Sequence, residues 1–124
     1  MELKIGMTHT AELVVGDAHS ARHWGSGALD VLSTPAMVAL MENAAMNTVA
    51  AALPVGSDTV GTALNINHIR ATRLGETVQA TAILREIEGR QLLFEVTACD
   101  SKGEIGNGWH TRFVVDRERF LSKL

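Results

Sequence analysis

The sequence of 124 residues has a single cysteine, Cys99, and little excess charge. One cysteine excludes an internal disulfide and fits a reducing compartment. The net charge of -3 gives no electrostatic basis for binding nucleic acid or an anionic membrane, since both require a basic patch. The N-terminus has no apolar run of signal-peptide length. We therefore expect a cytoplasmic protein that binds neither nucleic acid nor membrane.

The chain also lacks internal repeats, low-complexity stretches and linkers, so residues 1–124 are predicted to form a single domain. Apolar residues make up 46% of it, which is enough for one modest core. No second histidine or cysteine stands at ligand spacing from His68, so no metal site is expected.

One long apolar stretch, residues 34–53, is predicted to be a helix of about five turns, because Ala, Leu, Met and Glu dominate it. Thr34 and Pro35 form a helix start in which the threonine hydroxyl caps, and Pro54–Val55–Gly56 ends the helix. Apolar side chains cover nearly the whole circumference, which predicts burial on all sides. A helix of this length could span a membrane, but Glu42, two asparagines and many alanines suit lipid poorly.

Five segments have the patterns of strands: residues 8–15, 59–72, 76–86, 91–100 and 104–115. An irregular loop over residues 18–33 precedes the helix, and short turns join the last three strands as antiparallel hairpins. The tail after residue 115 is expected to be short, helical or irregular. The order predicts an α+β fold, an antiparallel curved sheet of about five strands wrapped around one central helix. A small sheet leaves helix surface and one edge uncovered, so we expect a homo-oligomer, a dimer or tetramer.

Two residues on these elements have side chains suited to acid–base chemistry. Glu42 lies in mid-helix among apolar residues, where a carboxylate is either bonded for structure or kept as a base or nucleophile. His68 shares a strand face with Leu64 and Ile66, as a satisfied core histidine or as a proton carrier.

Thr34 is explained by helix capping, although a helix N-terminus also favours a carbonyl oxygen or a developing anion. In the last strand Gly106, Gly108, His110 and Arg112 lie on one face. The glycines leave room for a ligand, a helix or another backbone, and Arg112 either clamps a phosphate or forms a surface ion pair.

Together these segments resemble the fluoroacetyl-CoA thioesterase branch of hotdog enzymes. The resemblance rests on the helix Thr34–Glu42, the strand Gly61–His68, the turn Glu88–Gly89–Arg90 and the segment Glu104–Arg112. It implies a hotdog fold and a dimeric acyl-CoA thioesterase without metal or redox cofactor. It also implies roles for five residues: Thr34, Glu42 and His68 as catalytic groups, Gly61 beside the thioester carbonyl, and Arg112 gripping coenzyme A.

The segment before the helix differs from that branch, because it is shorter, rich in glycine and without the aromatic lid residues. Trp24 and Leu29 are therefore expected to form the rim of a more open acyl pocket. Two alternatives stay open at this point, a hotdog hydratase or dehydratase and a non-catalytic module that binds or senses acyl-CoA.

Overall fold

The computed structural model describes residues 2–124. Five strands form it, β1 (Thr8–Val14), β2 (Ser57–His68), β3 (Thr77–Glu88), β4 (Gln91–Asp100) and β5 (Gly103–Asp116). Three helices accompany them, α1 (Ala21–Trp24), α2 (Thr34–Val49) and α3 (Arg117–Ser122), with 3-10 turns at Asp17–His19 and Ala50–Ala52. None of these helices is long and apolar enough to cross a bilayer.

The strands form one antiparallel sheet in the order β1-β3-β4-β5-β2. The helix α2 packs mainly against β3 and β1. The core lies between them, and its largest fully buried apolar side chains are Phe94, Leu32, Met37, Met41, Leu84, Leu92 and Ile105. The predicted α+β architecture, with one long helix against a five-stranded sheet, is confirmed.

The helix begins with a different cap from the predicted one. Ser33, not Thr34, is the N-cap, and its side chain accepts a hydrogen bond from the amide of Ala36 at 3.1 Å. Thr34 is the first helical residue, so its hydroxyl is free for another partner. The last predicted turn is the 3-10 segment Ala50–Ala52.

The helix is not buried on all sides within one chain. Exposed positions recur along one face at Ala39, Asn43, Met46 and Asn47. The sheet covers only the opposite face, which agrees with the expectation that a small sheet leaves helix surface uncovered within one chain. The uncovered face includes one large apolar side chain, Met46, which is 38% exposed.

Two other segments differ from the sequence prediction. The loop before α2 contains the short helix α1, which Ser20 caps by accepting from the amide of His23. β2 ends at His68 rather than at residue 72, because the amides of Ile69 and Arg70 both turn to the carbonyl of Ile105.

A bulge in β2 sets which side chains face the helix. Gly61 pairs with Arg112 and Ala63 with Thr111, so Thr62 is an extra residue in β2. Paired residues share a face of the sheet, and without the bulge Gly61 and His68, seven positions apart, would face opposite sides. The bulge therefore brings Gly61 and His68 to the helix side.

The glycines of β5 provide room for protein rather than ligand. A Cβ on Gly106 would lie 2.6 Å from the sulfur of Met37 and 3.0 Å from the carbonyl oxygen of Asn67. A Cβ on Gly108 would overlap the carbonyl oxygen of Asn65. These two positions allow close approach of α2 and β2 to β5.

Candidate active site

A hydroxyl and an imidazole meet where α2 begins and β2 ends. Oγ1 of Thr34 and Nδ1 of His68 lie 2.9 Å apart and share a hydrogen bond. Ser33 caps the helix, so the Thr34 hydroxyl is available for this pair. A hydroxyl within hydrogen-bond distance of an imidazole is the arrangement of a nucleophile and its general base.

The second ring nitrogen of His68 is buried and unsatisfied. Among residues 2–124, its Nε2 has no hydrogen-bond partner. Burial lowers the pKa of His68, and the backbone of Arg70 partly offsets this shift without reaching Nε2 in hydrogen-bond geometry. Because the pKa is lowered, the ring stays neutral at pH values somewhat below its ordinary pKa, and a neutral imidazole can accept a proton.

A cavity of about 370 Å³ opens beside this pair. Its walls include Thr34 and His68, together with Ala21, Ser26 and Val31 from the segment before α2. Trp24 and Leu29, predicted to form the rim, do not line this cavity within one chain and are 52% and 69% exposed. Within one chain, the smaller residues of that segment are the ones that approach the Thr34–His68 pair.

A second cluster lies two turns further along α2, around Glu42. Its Oε2 is 3.9 Å from Nη1 of Arg112 and 4.0 Å from Nε2 of His110. A Cβ on Gly61 would lie only 2.8 Å from the same oxygen. Within residues 2–124 the Glu42 carboxylate accepts no hydrogen bond, and its side chain is 38% exposed. It is thus an anion close to a cation, with both oxygens available to a ligand.

The arginine of this cluster is turned inward. Nε of Arg112 donates to Oγ1 of Thr59 at 2.8 Å, and Nη2 donates to the Thr59 carbonyl at 2.9 Å. The residue is only 6% exposed, and burial lowers its pKa while Glu42 raises it. Within one chain its hydrogen bonds go to Thr59 and His110, and the grip on coenzyme A that the resemblance implied stays a prediction.

His110 completes the cluster and is almost fully buried. Nδ1 lies 2.9 Å from the carbonyl of Ala63, and Nε2 lies 3.1 Å from Nη1 of Arg112. Burial lowers the pKa of His110; the Ala63 carbonyl and Glu42 oppose the shift, while the charge of Arg112 reinforces it. The sequence predicted that His110 and Arg112 share a strand face but predicted no role for His110. Thr59 was not predicted as a site residue, because nothing in its sequence pattern distinguishes it from other strand threonines.

The two clusters do not meet within one chain. Thr34 and Glu42 are eight residues apart on the same helix, about 12 Å along its axis. The structure brings Thr34 to His68 and, separately, Glu42 to Gly61 and Arg112. No group of three or more His, Cys, Asp or Glu side chains in the described part of the chain is placed to hold a metal.

Comparison with known proteins gives a consistent result. Residues 15–118 match the family model described as fluoroacetyl-CoA-specific thioesterase. The chain is 37% identical to the fluoroacetyl-CoA thioesterase of Streptantibioticus cattleyicolor, over 98% of this chain and 92% of that protein.

Solved structures give the same answer for the fold. A crystal structure of a mutant of the fluoroacetyl-CoA-specific thioesterase superposes with a TM-score of 0.92 at 37% identity, covering 99% of this chain and 96% of the other. A hot-dog-like protein from Thermanaerovibrio acidaminovorans superposes with a TM-score of 0.88, covering 98% and 90%. At 21% identity, the second likeness supports the fold alone.

A curved antiparallel sheet around one long helix, with a hydroxyl–imidazole pair at the start of that helix, defines a hydrolase of the hotdog thioesterase class. The chain belongs to the family of fluoroacetyl-CoA-specific thioesterases. The matches therefore favour the thioesterase hypothesis over the hydratase and the non-catalytic binding module.

Proposed function

We propose that this protein hydrolyses a small or medium acyl-CoA thioester to the free acid and coenzyme A, at sites formed across the interface of a homodimer. The observation that carries the proposal is the Thr34–His68 pair with an unsatisfied His68 Nε2, in a chain that also holds an unbonded Glu42 carboxylate. Glu42 offers a carboxylate that can accept a hydrogen bond from the ring of His68. His68 in turn offers the N–H donor that the Glu42 carboxylate lacks within its own chain.

Pairing of two copies along β2 is a direct way to join the halves. β2 is a long edge strand, and Leu64 in its middle is 46% exposed, so the edge is open to another strand. An antiparallel pair with its two-fold axis at Asn65 places His68 opposite Gly61 of the partner subunit, because the bulge residue Thr62 is left out of the register. Glu42 lies against Gly61, so this register carries the partner's Glu42 towards His68.

The roles follow from these positions. Oγ of Thr34 attacks the thioester carbonyl while His68 takes the hydroxyl proton, and the proton then passes to the departing thiolate of coenzyme A. An acyl ester remains on Thr34. Water activated by a base attacks the ester carbonyl and releases the free acid together with the Thr34 hydroxyl.

Glu42 and the groups around it serve the same reaction. The Glu42 carboxylate accepts a hydrogen bond from Nε2–H of the imidazole and orients the ring or the water. Gly61 lets the thioester carbonyl approach the backbone without a side chain in the way. Arg112 acts on Glu42 from inside the fold. Trp24 and Leu29 are proposed as rim residues that reach substrate from the open side.

Mixing two inactive variants tests the shared site. Thr34→Val and Glu42→Gln should each lower kcat by about 10²-fold or more in free-thiol release from acyl-CoA esters. When the two are unfolded together and refolded, half of the dimers combine one chain of each kind. Each such dimer regains one intact site, so activity should return to about a quarter of the wild-type value.

Three controls define the outcome of the mixing experiment. Each variant refolded alone shows how much activity the procedure itself restores. A double variant, Thr34→Val with Glu42→Gln, mixed with either single variant should regain nothing, because no site is then intact. A mixture of the single variants that stays inactive, or a folded active monomer in sedimentation at micromolar concentration, would place the whole site in one chain and overturn the shared arrangement.

A further inference from the structure

We propose that His110 is a positioning residue of this enzyme. As a neutral ring with its proton on Nδ1, it holds the guanidinium of Arg112 so that the positive charge faces Glu42 without closing onto the carboxylate. The inference rests on the proposed role of Glu42 in thioester hydrolysis, and it adds a residue that has no other part in that reaction.

Hydrogen-bond chemistry fixes the tautomer of His110. A guanidinium only donates, so Nε2 of His110, 3.1 Å from Nη1 of Arg112, must be the acceptor. The ring proton is then on Nδ1, which donates to the Ala63 carbonyl at 2.9 Å. Protonation of Nε2 would set two N–H groups against each other. The charged groups that act on this ring within residues 2–124 are Arg112 beside it and Glu42 on α2.

Three bonds then determine what Arg112 can do. Thr59 accepts from Nε and Nη2, and His110 accepts from Nη1, so each guanidinium nitrogen is held to a neutral acceptor by one N–H, and each Nη keeps a second N–H. The distance from Nη1 to Oε2 of Glu42 remains 3.9 Å, longer than a hydrogen bond. Arg112 therefore supplies a fixed positive charge while the Glu42 oxygens stay open to substrate or water.

The surroundings of His110 leave the ring little freedom. It is 1% exposed, and the ring of Phe94 on β4 lies 6.4 Å away between centroids with a tilt of 32°. Gly61 carries no side chain, and a Cβ there would lie 3.1 Å from Cε1 of His110. Without the acceptor at Nε2, Nη1 is no longer held in place and lies close enough to Glu42 to move onto it, and a direct ion pair would occupy the oxygen that the reaction needs.

Two substitutions at position 110 separate positioning from packing. His110→Met fills the space without an acceptor, and should lower kcat by about 10- to 100-fold, the scale of one hydrogen bond to a charged group. KM should change by less than about 3-fold. His110→Gln can place an amide oxygen near the former Nε2 and should keep kcat within about 3-fold of wild type. The buried apolar variant Val96→Ala is a matched control that lowers the melting temperature and leaves kcat unchanged.

A double-mutant cycle shows whether His110 acts through Arg112. Arg112→Met should lower kcat, and adding His110→Met to it should cost no further activity, because the residue through which His110 works is already gone. Nitrogen-15 correlation spectra of the wild-type ring should show the proton on Nδ1, and Arg112→Met should shift it partly to Nε2.

The opposite results are equally specific. Additive losses in the cycle, full kcat in His110→Met, or a ring proton on Nε2 in the wild type would each overturn the positioning role. An Arg112→Met variant with raised KM and unchanged kcat would show that Arg112 binds coenzyme A, and this result would also overturn the positioning role of His110. Glu42→Gln distinguishes the two levels: if that variant is fully active, the proposed catalytic site fails; if it is inactive while His110→Met is active, only this inference fails.

Discussion

Gly61 and Glu42 approach each other so closely that a Cβ on Gly61 would lie 2.8 Å from Oε2 of the carboxylate. The helix α2 crosses the start of β2 at this point, and the bulge at Thr62 turns Gly61 towards it. Any side chain at position 61 therefore displaces the carboxylate, the His110 ring, or both.

Gly61→Ala is expected to lower kcat by about 10²-fold, because a displacement of about 1 Å in a catalytic group costs on that scale. The free energy of unfolding should change much less, since the Glu42 side chain is partly exposed and can swing outward. Gly16→Ala is the control: Gly16 has a φ of -119°, and a Cβ there meets its nearest neighbour at 3.8 Å. Steady-state kinetics and thermal unfolding of both variants provide the comparison. Normal turnover in Gly61→Ala would show that Glu42 need not stay where it lies.

Two adjacent hydroxyls at the start of α2 should give opposite phenotypes. Ser33→Ala removes the helix cap and should lower the free energy of unfolding by about 1 kcal/mol, with kcat within about 3-fold of wild type. Thr34→Val keeps shape but loses the partner of His68, so kcat should fall about 10²-fold or more at nearly unchanged stability. Thr34→Ser should restore most of the activity. Denaturant titration and thiol-release kinetics measure the two effects, and a Thr34→Val variant that only loses stability would make Thr34 a structural residue.

Acid should destabilise the folded protein through His68, which is half-buried, and His110, which is buried. Burial lowers the pKa of both His68 and His110 below the ordinary value of 6.5. Between the lowered pKa and 6.5 the unfolded chain binds more protons than the folded chain, so the free energy of unfolding decreases as pH falls below about 6.5. His110→Gln removes one of these groups and should make the decrease shallower. Urea unfolding from pH 8 to pH 5 tests the sign, and stability that rises towards pH 5 would contradict it.

The long helix, the five strands and their antiparallel pairing could be predicted because each depends on local signals. The alanine-rich run from Thr34, the alternating pattern of β3 and the Glu88–Gly89–Arg90 turn are readable in a few residues each. The end of β2 could not be read locally. The carbonyl of Ile105, far along the chain, accepts both amides that follow His68 and thereby ends the strand.

The catalytic candidates were visible as unusual residues on apolar elements, but their partners were not. Glu42 and His68 are polar groups where the pattern requires apolar ones, and this is a sequence signal. Thr59 resembles any strand threonine, and its bonds to Arg112 exist only because β2 pairs with β5. The same pairing turned Arg112 inward. The choice between Ser33 and Thr34 as the cap depended on a shift of one residue, which helix propensities do not resolve.

The last prediction concerns the acyl group. The segment before α2 is short and glycine-rich, and a bidentate pair between Arg22 and Asp30 draws its two sides together, with Arg22 Nε to Asp30 Oδ1 at 2.9 Å and Nη2 to Oδ2 at 3.0 Å. Small side chains from this segment line the cavity beside Thr34, while Trp24 is mostly exposed. Apolar contacts alone discriminate a methylene-sized difference by only about 1–3 kcal/mol, and an open pocket achieves less. We therefore expect a preference for acyl groups larger than acetyl, and little difference between fluoroacetyl-CoA and acetyl-CoA.

Values of kcat/KM for these two esters, measured beside a C4–C8 and an aryl series, test this expectation about the acyl group. A fluoroacetyl preference of about 10³ or more, near 4 kcal/mol, would show that discrimination does not need an aromatic lid before the helix.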